Sequence, residues 1–339
     1  MPRLTSPRRA LVPLVTVLLL MLAAVALRGP LAARASTGAS ADTFDIPKPD
    51  TTDLSPKLGM SSVAPPPLAA HADTREYQLL LNDYVVQTSA KGEPYDNRFD
   101  YERLYDAPGR RAMLVRIHSQ LFDVAASKME PKERLAWAIN GYNFLVLEVA
   151  TTHLLVPKRG RLRYLTVQDM HISEHLTYDR NTFFSAYVVE IEGKQYSIDE
   201  FERAFIYGGY DRMSGPPPAS LDPRAHFATV NGSLGAPPLM PRAYRADSLD
   251  LQLDAACRAA LALPRHLALD EKDKIINGSA IFNQYAYDWG GQDHTFPFVE
   301  QYAPPAIKSA IKKYKLTSVG GYLGWDWKLN QNEHPKAKS

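Results

Sequence analysis

The chain has 339 residues, enough for one large domain or two ordinary ones. Hydrophobic residues make up 45% and charged residues 22%, the balance of a water-soluble globular protein. A formal net charge of +2, carried by scattered basic residues, excludes the concentrated basic patch that nucleic-acid binding needs.

At the N-terminus Arg3, Arg8 and Arg9 precede an apolar run of 17 residues, Leu11 to Leu27, and Ala33-Arg34-Ala35 follows as a small-residue cleavage signal before Ser36. That order is the layout of a secretory signal peptide. Residues 1–35 are expected to be removed and the protein to be exported, to a periplasmic or extracellular place. The alternative is an uncleaved anchor, which would then be its tie to a membrane. Export leads to a compartment that permits disulfides, yet Cys257 stands alone and cannot form an internal one. Cys257 shares a helical face with Leu249, Leu253, Ala256 and Ala260, so a small buried hydrophobe is expected there rather than a nucleophile.

Residues 36–73 are rich in Ser, Thr, Pro, Ala and Asp, with Pro65-Pro66-Pro67 against regular structure, and are expected to form a disordered tether. The folded part, residues 74–303, opens with Tyr77, Leu80, Leu81, Tyr84 and Val85 at helical spacing. A second helix is predicted over Pro108–Ala126. The next, Pro131–Leu155, begins with Pro131 in its first turn and is apolar nearly all round, as a central buried helix must be; Asn140 and Asn143 interrupt it. Residues 186–198 read as a β-hairpin turning at Gly193, and Ser197-Ile198-Asp199-Glu200 as a capping-box helix start. A Gly/Pro-rich loop, Gly208–Pro218, leads to a predicted short strand, Ala225–Val230, whose alternation would point His226 inward. Helices are predicted over Ser248–Leu263, Ala280–Asp288 and Pro304–Lys313, with residues 304–339 as a C-terminal helix and polar tail. The order gives an α+β class: a helix-rich single domain around a central buried helix, with a small antiparallel sheet.

Several blocks share one resemblance. His226-Phe227-Ala228-Thr229-Val230-Asn231-Gly232-Ser233-Leu234-Gly235-Ala236-Pro237-Pro238-Leu239 resembles the core motif HFALVCASIGCPPL of the domain-of-unknown-function family 547 (DUF547). Residues 135–143 resemble its LAFWINAYNA helix, 197–203 its SLDDIEH segment, 222–228 its DPRIHFA segment and 280–290 its KIFKWYGEDFG segment. The blocks keep the family order from about Thr74 to Tyr302. Asn231 and Ala236 stand where the family motif has cysteines. The resemblance makes the first of those cysteines the natural thiol nucleophile, and asparagine forms no thiolate, so thiol catalysis is not expected here.

The matching blocks gather His226, Arg224, Asn231, Glu202, Asn140 and Asn143 as a candidate site. His226 could serve as general base, Glu202 could orient it, and the asparagines could bind an oxyanion or an amide. The bland alternative is a satisfied polar network that joins two layers. Glu202, Asn143 and His226 are expected to meet in space. A second candidate, His171-Ile172-Ser173-Glu174-His175, fits H-x-x-E-H, which on a helix sets His171 and His175 on one face for zinc with Glu174 beside them. Zinc is the one cofactor the sequence suggests. Asn231-Gly232-Ser233 and Asn277-Gly278-Ser279 match glycosylation sequons, which count only on a eukaryotic secretory route. Tyr285, Tyr287, Trp289, Phe296 and Phe298 form an aromatic cluster read as core, with a peptide or glycan groove as the alternative.

Two functions fit. One is an exported, non-thiol member that binds a protein or small-molecule partner or supports an envelope assembly. The other is a hydrolase or transferase acting through His226 with Glu202 and the asparagines, or through zinc at His171, Glu174 and His175.

Overall fold

A computed structural model describes residues 67–153, 155–156, 161–162, 167, 183–210, 217–218 and 220–333. The expected signal peptide, most of the tether and the H-x-x-E-H candidate lie outside the described residues. The remainder is helix-rich α+β, with small sheets at its periphery. Among the described residues, no helix is long and apolar enough to cross a membrane.

Helix α1 (Arg75–Tyr84) buries Tyr77, Leu80 and Leu81. It ends where Val85 turns extended and pairs, in β1 (Val85–Gln87), with β2 (Asn97–Phe99). Helix α2 (Tyr101–Asp106) is capped by Asp100, whose side chain accepts from the Arg103 amide. Helix α3 (Arg110–Phe122) is shorter at both ends than the predicted 108–126, because Gly109 starts it in a left-handed conformation and Asp123 leaves helical geometry. Helix α4 (Pro131–His153) is the predicted central helix, buried almost without break from Ala136 to Thr151. α2, α3 and the hairpin-following segment all pack on it.

The hairpin is in place as β3 (Tyr187–Ile191) and β4 (Lys194–Ser197), with Glu192 and Gly193 at positive φ in its turn. The capping box is complete: Ser197 accepts from the Glu200 amide and the Glu200 carboxylate accepts from the Ser197 amide. Helix α5 (Ile198–Phe201) then loosens into a π-helical turn, Glu202–Ile206, closed by the bond from the Tyr207 amide to the Glu202 carbonyl.

The predicted strand over Ala225–Val230 is not formed. Pro223–Phe227 is a 3-10 helix. Asp222 caps it by accepting from the Arg224 amide, and Pro223 at its first position presets φ for a helical turn. A short run of apolar residues cannot by itself separate strand from helix, and here the cap decides. Helix α6 (Leu249–Leu261) buries Cys257 completely, as expected, and burial pushes the thiol pKa well up. Strands β5 (Leu267–Asp270) and β6 (Ile275–Gly278) form an antiparallel pair, and β7 (Gly321–Tyr322) adds to β6 in parallel. The predicted helix 280–288 divides into α7 (Ala280–Gln284) and a 3-10 turn, Ala286–Trp289. Helices α8 (Phe296–Tyr302) and α9 (Pro305–Tyr314) follow.

The buried side chains fall into two apolar clusters. The larger surrounds α4; the smaller joins α6, α7, α8 and the β5–β6 pair. The 3-10 turn at Pro223–Phe227 lies on their seam, with Ala225 and Ala228 in the larger cluster and Phe227 in the smaller. His226 therefore stands where the two clusters meet.

Candidate functional site

The seam holds a chain of four polar side chains. The Tyr207 hydroxyl donates to Glu202 Oε1 at 3.0 Å and lies 2.9 Å from His226 Nδ1. On the far side of the ring, His226 Nε2 lies 2.9 Å from Asp288 Oδ2. The His226 and Asp288 side chains are 1% and 0% exposed. A tyrosine hydroxyl has a single proton. The ring nitrogens face the Tyr207 hydroxyl on one side and the Asp288 carboxylate on the other, and the tautomer sets which of them donates. Through Tyr207 the ring is also connected to Glu202. Tyr285 stacks on it with ring centroids 4.2 Å apart, and Trp289 closes in at 5.2 Å.

Local structure explains the alignment. The π-helical turn replaces i→i+4 by i→i+5 bonding, which sets Tyr207 over Glu202, five residues before it. The 3-10 turn presents His226 to both. Asp288 arrives from the 3-10 turn after α7.

A cleft of about 60 Å³ opens beside this chain. Glu202, Tyr207, His226, Thr229, Asn231 and Gln284 supply its polar lining, and Ala236 lies in its wall. Tyr142, Tyr285, Trp325 and Trp327 give it aromatic sides. Burial, and then the nearby Glu202 charge, push the Tyr142 hydroxyl pKa well up, so it stays protonated. On a strand, positions 226 and 231 would face opposite ways. The 3-10 turn and the positive φ of Gly232, +78°, bring His226 and Asn231 to the same cleft.

Asn231 is fixed in orientation. Its Oδ1 accepts from the Ser233 amide at 3.2 Å and from the Ser233 hydroxyl at 2.7 Å. That hydroxyl in turn accepts from Trp325 Nε1 at 2.9 Å. The C-terminal segment that carries Trp325 is laid along the motif loop by bonds from Leu234 N to Lys328 O, Gly235 N to Asp326 O and Asn330 N to Gly232 O, each 2.8 Å. A Cβ at Gly235 would come within 2.8 Å of the Asp326 amide nitrogen, so the close approach of the two backbones requires glycine.

The other sequence candidates have different places. Asn143 does not join Glu202 and His226. It clamps the backbone behind them, donating to Ala228 O at 3.0 Å and accepting from Val230 N at 2.9 Å. Asn140 does the same for Tyr244, with both bonds at 2.8 Å, and lines a separate cleft. Both amides are 1% exposed and spend their groups on backbone that would otherwise be orphaned. Arg224 is held by Asp222, Asp250 and Asp254 at 2.6–2.8 Å, which raises its pKa, Asp222 most strongly, and it does not line the His226 cleft. His171, Glu174 and His175 lie outside the described residues; among those described, no group of three or more His, Cys, Asp or Glu could hold a metal ion.

Sequence reasoning missed Tyr207, Asp288, Trp325 and Trp327. Asp288 lay in a recognised block, and its neighbours Tyr285 and Trp289 were read as core, with a peptide or glycan groove as the alternative. Tyr207 carries no local signal, since only the π-helical turn brings it to Glu202. Trp325 and Trp327 come from a segment beyond the blocks.

The family model described as "Protein of unknown function, DUF547" matches residues 126–261. Neither the search of curated proteins nor that of solved structures gives a match. The matched stretch holds Glu202, Tyr207, His226, Asn231 and Ala236, while Asp288 and the two tryptophans lie beyond it. Residues 126–261, less than half of the chain, are thus similar to the DUF547 family of proteins of unknown function.

Proposed function

We propose that this protein is an exported, non-thiol DUF547 member that binds a ligand non-covalently in the His226 cleft. The observation that carries this reading is the pair Asn231 and Ala236. Both family cysteine positions face the cleft, and neither offers a sulfur. Cys257, the sole thiol of the chain, is buried in α6 and its thiolate is disfavoured. The Thr229 hydroxyl is committed to the Ala225 carbonyl at 3.2 Å. The N-terminal basic, apolar and small-residue sequence supports export.

A second reading has an observation of its own. The Glu202–Tyr207–His226–Asp288 chain can carry a proton between Glu202, which lines the cleft, and the buried imidazole. Such a chain suits a hydrolase or transferase that activates water by general base catalysis instead of a nucleophilic side chain.

Incubation with p-nitrophenyl acetate, followed by intact-mass and peptide analysis, separates the two. Non-covalent binding predicts no acetyl group on Cys257 or on any cleft residue, and nitrophenolate release at the background rate. Acetylation of either overturns it. Repeated turnover that Glu202→Gln abolishes establishes the second reading in its place.

A further inference from the structure

We propose that Tyr142 and Asn231 form a two-donor site that receives the carbonyl oxygen of an uncharged ligand in the His226 cleft. This rests on the reading of the cleft as a ligand site.

The backbone brings the two residues together. Asn143, next to Tyr142 on α4, donates to Ala228 O at 3.0 Å and accepts from Val230 N at 2.9 Å. Val230, next to Asn231, is thereby tied to the turn of α4 that carries Tyr142. One residue further on, a Cβ at Gly232 would lie 3.2 Å from Val146 Cγ1. Val146 follows Tyr142 by one helical turn and shares its face of α4. Asn231 is therefore laid over the face that Tyr142 occupies, and both side chains line the same cleft.

Each supplies a donor that the protein does not use. Ser233 gives Asn231 Oδ1 two hydrogen bonds, one from a backbone N–H that can only donate, so the amide cannot be turned over. Its Nδ2 group has no hydrogen-bond partner among the described residues. The Trp325 indole, donating to Ser233 Oγ, steadies this arrangement. Tyr142 is 4% exposed, and burial keeps its hydroxyl protonated. That hydroxyl also has no hydrogen-bond partner among the described residues. Unlike the Tyr244 hydroxyl, which is sealed from solvent without a partner, it reaches the cleft. A donor left unmatched at so buried a place is costly, and a ligand acceptor removes the cost.

The two donors fit a carbonyl oxygen, which has two lone pairs. About 60 Å³ holds about four to six water-sized groups at roughly 10–15 Å³ each. That is room for a carbonyl and the atoms bonded to it, flanked by the flat faces of Trp325 and Trp327. A carboxylate brings about four acceptor positions and a full charge, and two neutral donors leave part of that charge against the indole faces. An ammonium presents no acceptor to Nδ2 of Asn231.

The test is a titration of the 15N-labelled full chain by acetone, acetate and isopropylammonium, probes of similar size, read from the indole N–H signals. Trp325 and Trp327 report on the cleft; Trp137, whose indole donates to Leu121 O in the core, is the internal reference. Acetone is expected to shift Trp325 and Trp327 saturably while Trp137 stays put, with acetate and isopropylammonium weaker by about tenfold or more. Tyr142→Phe keeps the ring and removes the hydroxyl. Asn231→Asp keeps an acceptor for Ser233 and removes the amide N–H. Each is expected to weaken acetone binding by about threefold to tenfold, the worth of one hydrogen bond. An unchanged Trp137 signal shows that the variant is folded. Acetone binding as strong in either folded variant as in the parent overturns the two-donor site. Acetate or isopropylammonium binding as well as acetone in the parent overturns the carbonyl assignment. Both results leave the cleft standing as a ligand site, whereas no cleft response to any of the three probes overturns that reading as well.

Discussion

Asp288→Ala is expected to cost about 1–3 kcal/mol of folding stability, the penalty for taking away the partner of a buried polar group. In a domain stable by about 5–15 kcal/mol this is a large fraction of the total. The cause lies in the residue left behind. His226 is 1% exposed on its side chain, with Tyr207 at one ring nitrogen and Asp288 at the other, each at 2.9 Å. Without Asp288, the Nε2 side of the buried ring loses the carboxylate that lies 2.9 Å from it. Replacing both members by apolar groups leaves no polar partner behind, so the double variant His226→Leu/Asp288→Leu is expected to be more stable than Asp288→Ala alone. Urea unfolding curves measure both. A double variant less stable than the single one would show that the pair contributes net stability beyond its own desolvation.

Acid is expected to weaken the fold through His266. This side chain is 0% exposed, and burial, helped by the Arg265 charge, holds its pKa at about 4 against an ordinary 6.5. Nδ1 meets the Ser279 hydroxyl at 3.0 Å, while Nε2 faces the Ala236 backbone without reaching full hydrogen-bond geometry. The unfolded chain takes up a proton as pH falls through 6.5, and the folded chain resists until about 4. Stability is therefore complete above 6.5 and declines between these two values, by up to about 3 kcal/mol. Asp96, which burial would raise but the Arg265 hydrogen bonds pull below its usual value, adds a further loss at the acid end. That loss is common to the parent chain and to His266→Asn. Urea midpoints at neutral and mildly acid pH are expected to fall much more for the parent than for His266→Asn; equal falls would assign the acid sensitivity elsewhere.

The parts legible in the sequence are those set by local physics. The central helix declares itself by being apolar on every side, the hairpin by its alternation around Gly193, and the following helix by the Ser197–Glu200 box. Cys257 was legible from the face it shares with Leu253 and Ala260. What the sequence hid depends on the competition between local signals or on distant pairing. Ala225–Val230 has the composition of a strand, yet Asp222 and Pro223 start a 3-10 turn ahead of it. The loosened turn after Phe201 has no sequence signature, so Tyr207 could not be joined to Glu202. Trp325 reaches Ser233 only through backbone pairing between segments 92 residues apart. Asn143 was expected to meet Glu202 and His226; its bonds go instead to the Ala228 and Val230 backbone, whose groups carry no sequence signal at all.

The central claim is that position 231 opens into an accessible cleft beside His226 while the chain's own thiol is sealed in the core. Native-state labelling of the Asn231→Cys variant by iodoacetamide, followed by peptide mass analysis, tests it most directly. The parent chain, with Cys257 as its single thiol, is expected to stay unlabelled until it is unfolded. The variant is expected to take up one label, at position 231, under native conditions. A parent chain that labels as fast as the variant, or an introduced thiol that stays unlabelled until unfolding, would contradict the account.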